Sequence, residues 1–488
     1  MTDGLVIGGD PLTIAQVAAA ARDPRVGVSF AEGVPERLRA NSVLATRIAE
    51  EHSLYGRTTG VGANRDVVAD DRDGQHGRRL LRSHTAGYGP VLPDEVGRAL
   101  VIVRAHQLAA GRSGVAPPVA EALIDARRLG LVPVVRRHGG VGTGDITVLA
   151  ELGLALLGER PWSDGTTRAL LDDIDASGAL PLMSSNAPTL ALAALALHDV
   201  QALSTAMLVV AALSAHAVRA NPEAWSVVGA SSRPHPGMVH VGSVMRALLG
   251  DAGYQPGRLQ DPFAWRCLVS VHGALSDVLD QVRVTLEIDI NASCENPLYT
   301  DSGSWHHGGF NHTGLALGLD QLRLALAQAA GLGLSRLTHL NNPAMSGLRP
   351  FLSEGPNGSS GTMVLEYTAA SSLADLRQWA APATLGHAVI SLGIEDHASF
   401  AWQSAIATRS SLVALRTVIA CELVAALLSV RRHRDVRSGT VLAALLDRCA
   451  SIPDEALDHA LVDDLGAADA LLDQLGDIVT TASAADTR

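Results

Sequence analysis

Apolar residues recur at helical spacing along most of the chain, and the longest such stretches lie in its second half. Residues 189–220 read TLALAALALHDVQALSTAMLVVAALSAHAVRA, which is too long and too rich in alanine for a strand. Ser185 and Asn186 offer capping oxygens just before this segment, and Pro188 suits a first helical turn. The segment has the length of a membrane span, but polar residues interrupt it, so we expect a buried helix and no membrane partner. The same periodicity predicts further long helices over residues 262–290, 313–340, 361–382 and 398–432.

This pattern predicts an all-α protein with a central bundle of about five long helices. Residues 1–185 are more broken, with glycine-rich loops around Tyr55 and Thr143, and form a predicted N-terminal domain of helices and loops. Residues 186–435 make up the predicted bundle. Residues 436–488 are predicted to form short acidic helices at the C-terminal end.

The composition fits packed helices and narrows the class of partner. Of the 488 residues, 47% are hydrophobic and only 3% aromatic, so alanine, leucine and valine must fill the interior. The formal net charge is −12 at pH 7, and this acidic balance argues against a nucleic acid partner. The four cysteines form no C-x-x-C pair, so we expect reduced thiols. The first residues lack the basic start and the apolar run of a secretory signal, so we expect a cytoplasmic protein.

Five short stretches suggest a family by their order: YGRTTGVG at 55–62, SHTAGYG at 83–89, GGVGTGD at 139–145, LQDPFAWRC at 259–267 and GIEDH at 393–397. Together they resemble the aromatic amino acid lyase and aminomutase family, which includes the histidine, phenylalanine and tyrosine ammonia-lyases. The resemblance covers about residues 35–430. It implies the long helical bundle of the ammonia-lyases, a small-molecule substrate, and a homotetramer whose active sites each draw residues from three chains.

The chain departs from this pattern at the family's electrophile. In the family, a loop tripeptide Ala-Ser-Gly cyclises and loses water to give a methylidene-imidazolone, which captures the amine or the ring of the substrate. The usual run is G-S-V-G-A-S-G-D, whereas this chain has G-G-V-G-T-G-D, one residue shorter and with Thr143 in place of serine. A ring closed from Gly142-Thr143-Gly144 would carry an extra methyl group on its electrophilic carbon. We therefore expect an open peptide and no cofactor, with Gly142 and Gly144 as cofactor residues only if an imidazolone forms.

The resemblance assigns catalytic roles to Tyr55, Asn186 and Glu395 in addition to Thr143. Tyr55 matches the loop tyrosine that acts as the family's base, and its alternative role is to anchor the loop. Asn186 matches the asparagine that bonds the oxygen of the electrophile, and it would equally serve as a helix cap. Glu395 matches the glutamate near the substrate amine, and its alternative role is also a helix cap. A phenol with a pKa of about 10 needs help from positive helix ends to act as a base at neutral pH.

Five positions match substrate-binding residues of the family. Gln260 and Arg266 match residues that hold the substrate, and an arginine suits bidentate contact with a carboxylate. The alternative for Arg266 is a buried pair with a neighbouring aspartate. His84 aligns with a pocket histidine of the histidine and phenylalanine lyases, although it would equally fit a core position. Phe263 replaces the tyrosine that the family usually has, and Asn311 lies in GGFNH where GGNFH is expected, which turns its side chain by about 100° on a helix.

His306, His307 and His312 form a cluster of histidines that raises the question of a metal. No carboxylate or fourth ligand lies at the usual spacing of a zinc site. We therefore expect surface histidines and no metal.

These residues support three hypotheses of function. The first is an enzyme of specialised metabolism that works without the imidazolone, with Tyr55 as the base in an elimination or cyclisation of an amino-acid-derived small molecule. The second is an ammonia-lyase or aminomutase that uses an unusual imidazolone derived from Thr143. The third is a non-catalytic relative that binds a small molecule. The sequence favours the first, because the base, the amide and the arginine are retained, but it does not identify the substrate.

Overall fold

The chain folds into helices joined by short loops, and the computed structural model describes residues 4–250, 255–438 and 440–478. With 60% helix and 5% strand, the predicted all-α class is confirmed. The helices are α1 (Ile14–Arg22), α2 (Val34–Glu51), α3 (His76–His84), α4 (Asp94–Ala109), α5 (Pro117–Arg128), α6 (Ile146–Leu156), α7 (Ala176–Met183), α8 (Ala187–Ala217), α9 (Val227–Ser231), α10 (Pro236–Leu249), α11 (Phe263–Arg266), α12 (Leu268–Ile290), α13 (Thr313–Asn341), α14 (Pro343–Ser346), α15 (Met363–Trp379), α16 (Ala401–His433), α17 (Val441–Arg448) and α18 (Val462–Leu471). The strands are β1 (Leu5–Ile7), β2 (Val28–Phe30), β3 (Tyr88–Val91), β4 (Arg136–His138), β5 (Leu298–Thr300) and β6 (Gly303–Trp305).

The five long helices predicted from the apolar spacing are present as α8, α12, α13, α15 and α16, with 17 to 33 residues each. The basic run near the end of α16 places Arg431, Arg432 and His433 in the last turn, where positive charge suits the negative end of the helix dipole. The predicted C-terminal segment contains two short helices, α17 and α18, and residues 439 and 479–488 of this segment lie outside the described ranges.

Three two-stranded sheets hold the loops between the helices of the first half and the central region. Strands β1 and β2 pair in parallel, whereas β3 pairs with β4 and β5 pairs with β6 in antiparallel fashion. Strand β4 ends at His138, directly before the glycine-rich loop that contains Thr143. Strand β6 ends directly before His306. These short sheets therefore fix the points from which two of the predicted site segments depart.

The chain divides into two compact units made of segments that are distant in sequence. The first unit comprises Met1–His198, Val282–Leu319 and Pro382–Arg409, and the second comprises Asp199–Gln281, Asp320–Ala381 and Ser410–Arg488. This division is not the sequential one predicted from the pattern, because α8, α12, α13 and α16 each contain a boundary between the units. The predicted domains are consecutive stretches of sequence, whereas each of these four helices contributes residues to both units.

Each unit contains a buried arginine that pairs with a glutamate of the same unit. In the first, Arg104 on α4 donates from Nη1 to Oε1 of Glu295, in the loop after α12, at 2.8 Å, and both side chains are almost fully buried. In the second, Arg336 on α13 donates to both carboxylate oxygens of Glu422 on α16 at 2.6 and 2.9 Å. Ser214 on α8 also donates to Glu422, at 2.8 Å. Removing one partner of such a buried pair costs about 3–5 kcal/mol, so these contacts fix the register of the helices they join.

Two helical stretches of the described chain are long and apolar enough to cross a membrane. They are Ala176–Ala217, with a mean hydropathy of 1.5, and Ala401–His433, with a mean hydropathy of 2.0. In the most apolar run of 18 residues, 78% of the first stretch and 83% of the second are buried inside the protein. Core helices of large helical proteins pass the same test of length and composition, so these two stretches are weak indications of a membrane span.

Candidate active site

A cavity of about 450 Å³ lies in the first unit and brings together several of the predicted site residues. Tyr55, His84, Thr143 and Glu395 all line it, as does Gly144. The cavity therefore unites loops that are separated by as many as 340 positions in the sequence. Its other lining residues are Val61, Gly62, Arg65, Ile146, Leu180, Met183, Ser184, Ser185, Asn296, His306, Phe310, Ser391 and Ile394.

Tyr55 lies at the start of a tight loop, and a backbone amide holds its hydroxyl group. The N–H of Gly62 donates to the hydroxyl oxygen at 2.8 Å, and the ring meets that of His306 edge to face, with centroids 6.4 Å apart. Burial raises the pKa of the phenol, and the charge of Glu395 raises it further. The hydrogen bond from Gly62 and the charge of Arg65 act in the opposite direction. Tyr55 is thus a buried phenol between a negative and a positive side chain.

The Thr143 loop runs against the first turn of α16. The hydroxyl of Ser399 donates to the carbonyl of Gly142 at 3.0 Å, and the N–H of Phe400 donates to the carbonyl of Val141 at 3.0 Å. Gly142 has a φ of 87°, and a Cβ placed on it would lie 2.2 Å from the Ser399 hydroxyl oxygen. A side chain therefore does not fit at the first position of this tripeptide. The Ala-Ser-Gly group of the family, whose first residue is alanine, does not fit the loop as it is placed here.

Asp145 connects the end of this loop to α8. Its backbone N–H donates to the carbonyl of Ser185 at 2.9 Å, and its Oδ2 accepts hydrogen bonds from the N–H and the hydroxyl of Thr189 at 2.9 and 2.6 Å. Its Oδ1 is buried and has no hydrogen-bond partner among the described residues. Burial raises the pKa of this carboxyl group to about 6, although the two bonds from Thr189 oppose the shift. The N-terminal ends of α6, α8 and α16 consequently meet around one loop.

Asn186 does not cap α8 with its side chain. The hydroxyl of Ser185 accepts from the N–H of Ala187 at 2.9 Å instead, so Ser185 provides the side-chain cap. Both polar atoms of the Asn186 side chain are buried and without a hydrogen-bond partner among the described residues. An unsatisfied buried amide costs about 1–3 kcal/mol, which indicates a group kept for a purpose other than stability. Asn186 is not among the described residues that line the cavity, although its neighbours Ser184 and Ser185 are, so its predicted contact with the reacting group stays a prediction.

His84 and Glu395 are half-buried side chains on the wall of the cavity. The Nδ1 of His84 is 2.8 Å from the carbonyl of Leu80, which can only accept, so this nitrogen carries the proton. In its neutral form His84 therefore has an acceptor at Nε2. The backbone of Glu395 pairs with Ile390 as an isolated β-bridge, which fixes the turn that presents its carboxylate.

Asn311 is not among the described residues that line the cavity, and its predicted role in substrate binding stays a prediction. Its Oδ1 accepts from the N–H of Thr313 at 3.1 Å at the start of α13, and its Nδ2 lies 3.1 Å from Nδ1 of His397. The preceding residue, Phe310, lines the cavity instead. Because GGFNH exchanges two neighbours of the usual order, the aromatic ring occupies the wall where the family pattern predicts an amide.

Gln260, Phe263 and Arg266 lie in the second unit and are exposed to solvent, and none of them is among the described residues that line the cavity. The guanidinium carbon of Arg266 is 5.1 Å from the centre of the Phe263 ring. Asp261 pairs with Arg258 at 2.7 Å, so the alternative of a buried pair between Arg266 and an aspartate is wrong. Whether these three residues reach a cavity in another subunit stays a prediction.

The three clustered histidines have separate partners. His307 lies 2.8 Å from the carbonyl of Glu295, and His312 lies 2.9 Å from Oδ2 of Asp289. His312 is buried, so the expectation of a surface histidine is wrong for this residue. Among the described residues there is no group of three or more histidine, cysteine, aspartate or glutamate side chains placed to hold a metal ion. The absence of a metal stays a prediction.

Sequence reasoning missed Arg65, His306 and Phe310 as residues of the cavity wall. Arg65 follows a short 3₁₀ turn, Gly62–Asn64, whose direction no periodic pattern reveals. His306 and Phe310 follow β6, and only the pairing of β5 with β6 sets their direction. The sequence feature that could have indicated their place in the cavity is their position beside motifs that resemble those of the family.

Comparison with known proteins is consistent with this geometry. The model of the aromatic amino acid lyase family matches residues 12–451. Histidine ammonia-lyase from Streptomyces coelicolor is 31% identical over 504 residues, covering 98% of each chain. Among solved structures, the ergothioneine-degrading enzyme ergothionase from Treponema denticola and tyrosine aminomutase from Streptomyces globisporus both have a TM-score of 0.89 at 24% identity. The first match covers 97% of this chain and 99% of the other, and the second covers 98% of each. At this identity the two structures show the shared fold.

The pKa of Asp145 predicts a pH-dependent contribution to stability. Because its pKa in the folded protein is above the usual 3.8, the folded state binds the proton more tightly than the unfolded state. Asp145 therefore lowers the free energy of unfolding progressively as the pH rises from about 4 to about 6, and the loss persists above that. Two pKa units correspond to about 3 kcal/mol. Denaturation of wild-type and Asp145→Asn protein should show a stability difference that shifts in favour of the variant by about this amount between pH 4 and 7.

An exposed control, Asp301→Asn, calibrates the effect of losing a surface charge. If the stability of Asp145→Asn relative to wild-type protein stays constant, or decreases, as the pH rises from about 4 to about 7, the assignment is contradicted.

Proposed function

The chain belongs to the aromatic amino acid lyase family, and we propose that it catalyses an elimination or a ring closure on a small amino-acid-derived molecule without the family's standard imidazolone. We propose that it does so in specialised metabolism and in the cytoplasm. The observation that carries the proposal is the cavity itself, in which Tyr55, Glu395 and His84 surround Thr143 instead of the cyclising serine. The crowding at Gly142 supports it, because the alanine of the standard tripeptide has no room there.

In this proposal the chain's own groups move the proton and stabilise the charge. Tyr55 removes a proton from the substrate, and its hydroxyl already accepts a hydrogen bond from Gly62. The side chain of Asn186 and the positive ends of the three helices stabilise the anion that develops. Because burial raises the pKa of Tyr55, such a site suits a substrate whose proton is already acidic. Arg266 and Gln260 would hold the substrate's carboxylate from another subunit.

A second candidate is an ammonia-lyase or aminomutase that uses a ring derived from Thr143. One contact favours it: the hydroxyl of Ser399 donates to the Gly142 carbonyl, which would polarise the carbon that ring closure attacks. The identity of 31% to a histidine ammonia-lyase over almost the whole chain also supports it. The two candidates differ in one covalent property of the polypeptide, its mass.

The intact mass of the purified protein separates these candidates. We expect the mass calculated for the unmodified chain, because the threonine methyl and the shortened loop oppose ring closure. Cyclisation with dehydration would remove two waters, about 36 Da. A Thr143→Ala variant is the matched control, because without the hydroxyl it cannot undergo the dehydration. A deficit of two waters in the wild-type protein that is absent from Thr143→Ala would establish the second candidate instead.

Tyr55→Phe should abolish the chemistry and leave folding intact. We expect wild-type protein in deuterated water to exchange an acidic proton in a panel of aromatic amino acids and their activated acyl derivatives, as measured by mass spectrometry. Loss of a general base typically lowers a rate by about 10²–10⁴-fold, and the exchange should fall by at least the lower figure in Tyr55→Phe. Tyr88→Phe is the control, because Tyr88 is 80% exposed. Full exchange in Tyr55→Phe would refute the role as base, whereas no exchange in the wild-type protein would favour the non-catalytic, ligand-binding relative.

We also propose a homotetramer, in which residues 259–266 of one subunit complete the cavity of another. The exposure of this segment supports the proposal, because Leu259 is 87% and Phe263 is 67% exposed, and large apolar side chains in water favour association. Light scattering at micromolar concentration should give the mass of four chains of 50.7 kDa. A monomer under these conditions would remove the basis for a shared site.

A further inference from the structure

Arg65 contributes a positively charged side chain to the cavity, and the proposed reaction assigns no role to it. It follows the 3₁₀ turn Gly62–Asn64, and three bonds fix this turn in place. The N–H of Gly62 donates to Tyr55 at 2.8 Å, the N–H of Ala63 donates to the hydroxyl of Ser391 at 3.0 Å, and the N–H of Arg65 donates to the carbonyl of Gly62 at 3.1 Å. Arg65 therefore extends from a fixed turn and lines the cavity, and its charge acts on the Tyr55 hydroxyl, whose pKa it lowers.

The acidic partner of Arg65 holds it only loosely. Its ion pair with Asp66 spans 3.5 Å, and the two side chains are 44% and 82% exposed. Exposed pairs of this kind contribute little to stability, because water screens both charges and the long side chain loses entropy. By contrast, Arg104 makes a buried pair at 2.8 Å that a ligand cannot displace. An anion that enters the cavity can take the place of Asp66.

The charges of the cavity wall indicate what such an anion would be attached to. Glu395 lines the same cavity and offers a negative partner to a substrate amine, whereas Arg65 offers a planar set of donors suited to the oxygens of a carboxylate or phosphate. Phe310 and His306 add aromatic surface to this wall. The α-carboxylate of the substrate is already assigned to Arg266 in the proposed function, so Arg65 is available for a different group.

We propose that the substrate carries a second anionic oxygen group, a carboxylate or a phosphate, in addition to its α-carboxylate, and that Arg65 binds this group at the cavity. The inference rests on the proposed function for the assignment of the α-carboxylate to Arg266. It narrows the substrate class from any amino-acid-derived molecule to one with two acidic groups. It also gives a role to a positive side chain of this wall whose acidic partner, Asp66, is exposed to solvent.

Calorimetric titration of two matched pairs of probes tests this assignment at low ionic strength, where charge interactions are least screened. The first pair is L-phenylalanine and 4-carboxy-L-phenylalanine, and the second is L-tyrosine and O-phospho-L-tyrosine. Wild-type protein should bind at least one of the probes with a second acidic group about tenfold more tightly than its partner with the α-carboxylate alone, and the two pairs distinguish carboxylate from phosphate. Arg65→Met should abolish this preference and change the affinity for L-phenylalanine and L-tyrosine less than about twofold.

Four further variants make the result specific. Arg65→Lys should keep part of the preference, because it keeps the charge without the planar donors. Asp66→Asn should strengthen binding of the probe that carries the second acidic group, because it removes the carboxylate that competes for Arg65. Arg266→Met should weaken both members of a pair equally, and Arg25→Met, an exposed arginine beside an aspartate outside the cavity, should change neither.

Equal affinity of wild-type protein for the members of both pairs, including no binding of any probe, would overturn the proposal. So would an Arg65→Met variant that loses both members of a pair alike, since Arg65 would then bind the α-carboxylate. The titration depends neither on turnover nor on the state of Thr143, so its failure can be distinguished from failure of the proposed chemistry.

Discussion

The Thr143 loop can occupy its place only because Gly142 has no side chain. A Cβ at this position would lie 2.2 Å from the Ser399 hydroxyl oxygen and 2.8 Å from the backbone nitrogen of Phe400. Its φ of 87° is also one that other residues rarely adopt. This close approach lets the loop carbonyls accept hydrogen bonds from Ser399 and Phe400, directly before α16, which brings the positive end of that helix to the Thr143 loop. The contact between this helix end and the loop thus depends on the absence of a side chain at Gly142.

The same contact has opposite effects on the two catalytic candidates. It excludes the alanine with which the family's tripeptide begins, and so it removes the standard precursor by sterics as well as by sequence. Yet the hydrogen bond from Ser399 withdraws electrons from the Gly142 carbonyl, which assists attack on its carbon. The proposed function gives more weight to the threonine, because its methyl group would remain on the product of dehydration and crowd the atom that has to meet the substrate. In that proposal the loop stays open and the helix ends act directly on the substrate.

The sequence was informative where a single periodic pattern or a local motif controls the structure. Long helices such as α8 and α16 follow from apolar spacing because burial of one stripe needs only short-range regularity. Tyr55, His84 and Glu395 could be placed in one site because their motifs resemble those of a family. The exchange of Phe310 and Asn311 could not be resolved, since the direction of two neighbouring side chains depends on how the β5–β6 pair leads into α13. The predicted place of Arg266 in a site of another subunit stays a prediction, because contacts between chains cannot be derived from a single sequence.

The charges beside Tyr55 link the base to the proposed substrate. Arg65 favours the phenolate, whereas burial and Glu395 favour the phenol. If the second anion of a substrate neutralises Arg65, the phenolate becomes rarer but also a stronger base, because the same loss of positive charge raises the affinity for the proton. Each tenfold reduction in phenolate adds about 1.4 kcal/mol to the barrier unless the gain in basicity compensates for it. Proton transfer is then efficient only if the resulting anion is stabilised, a role that the proposal assigns to the Asn186 amide and the three helix ends. The proposed chemistry therefore requires a substrate whose proton is already acidic.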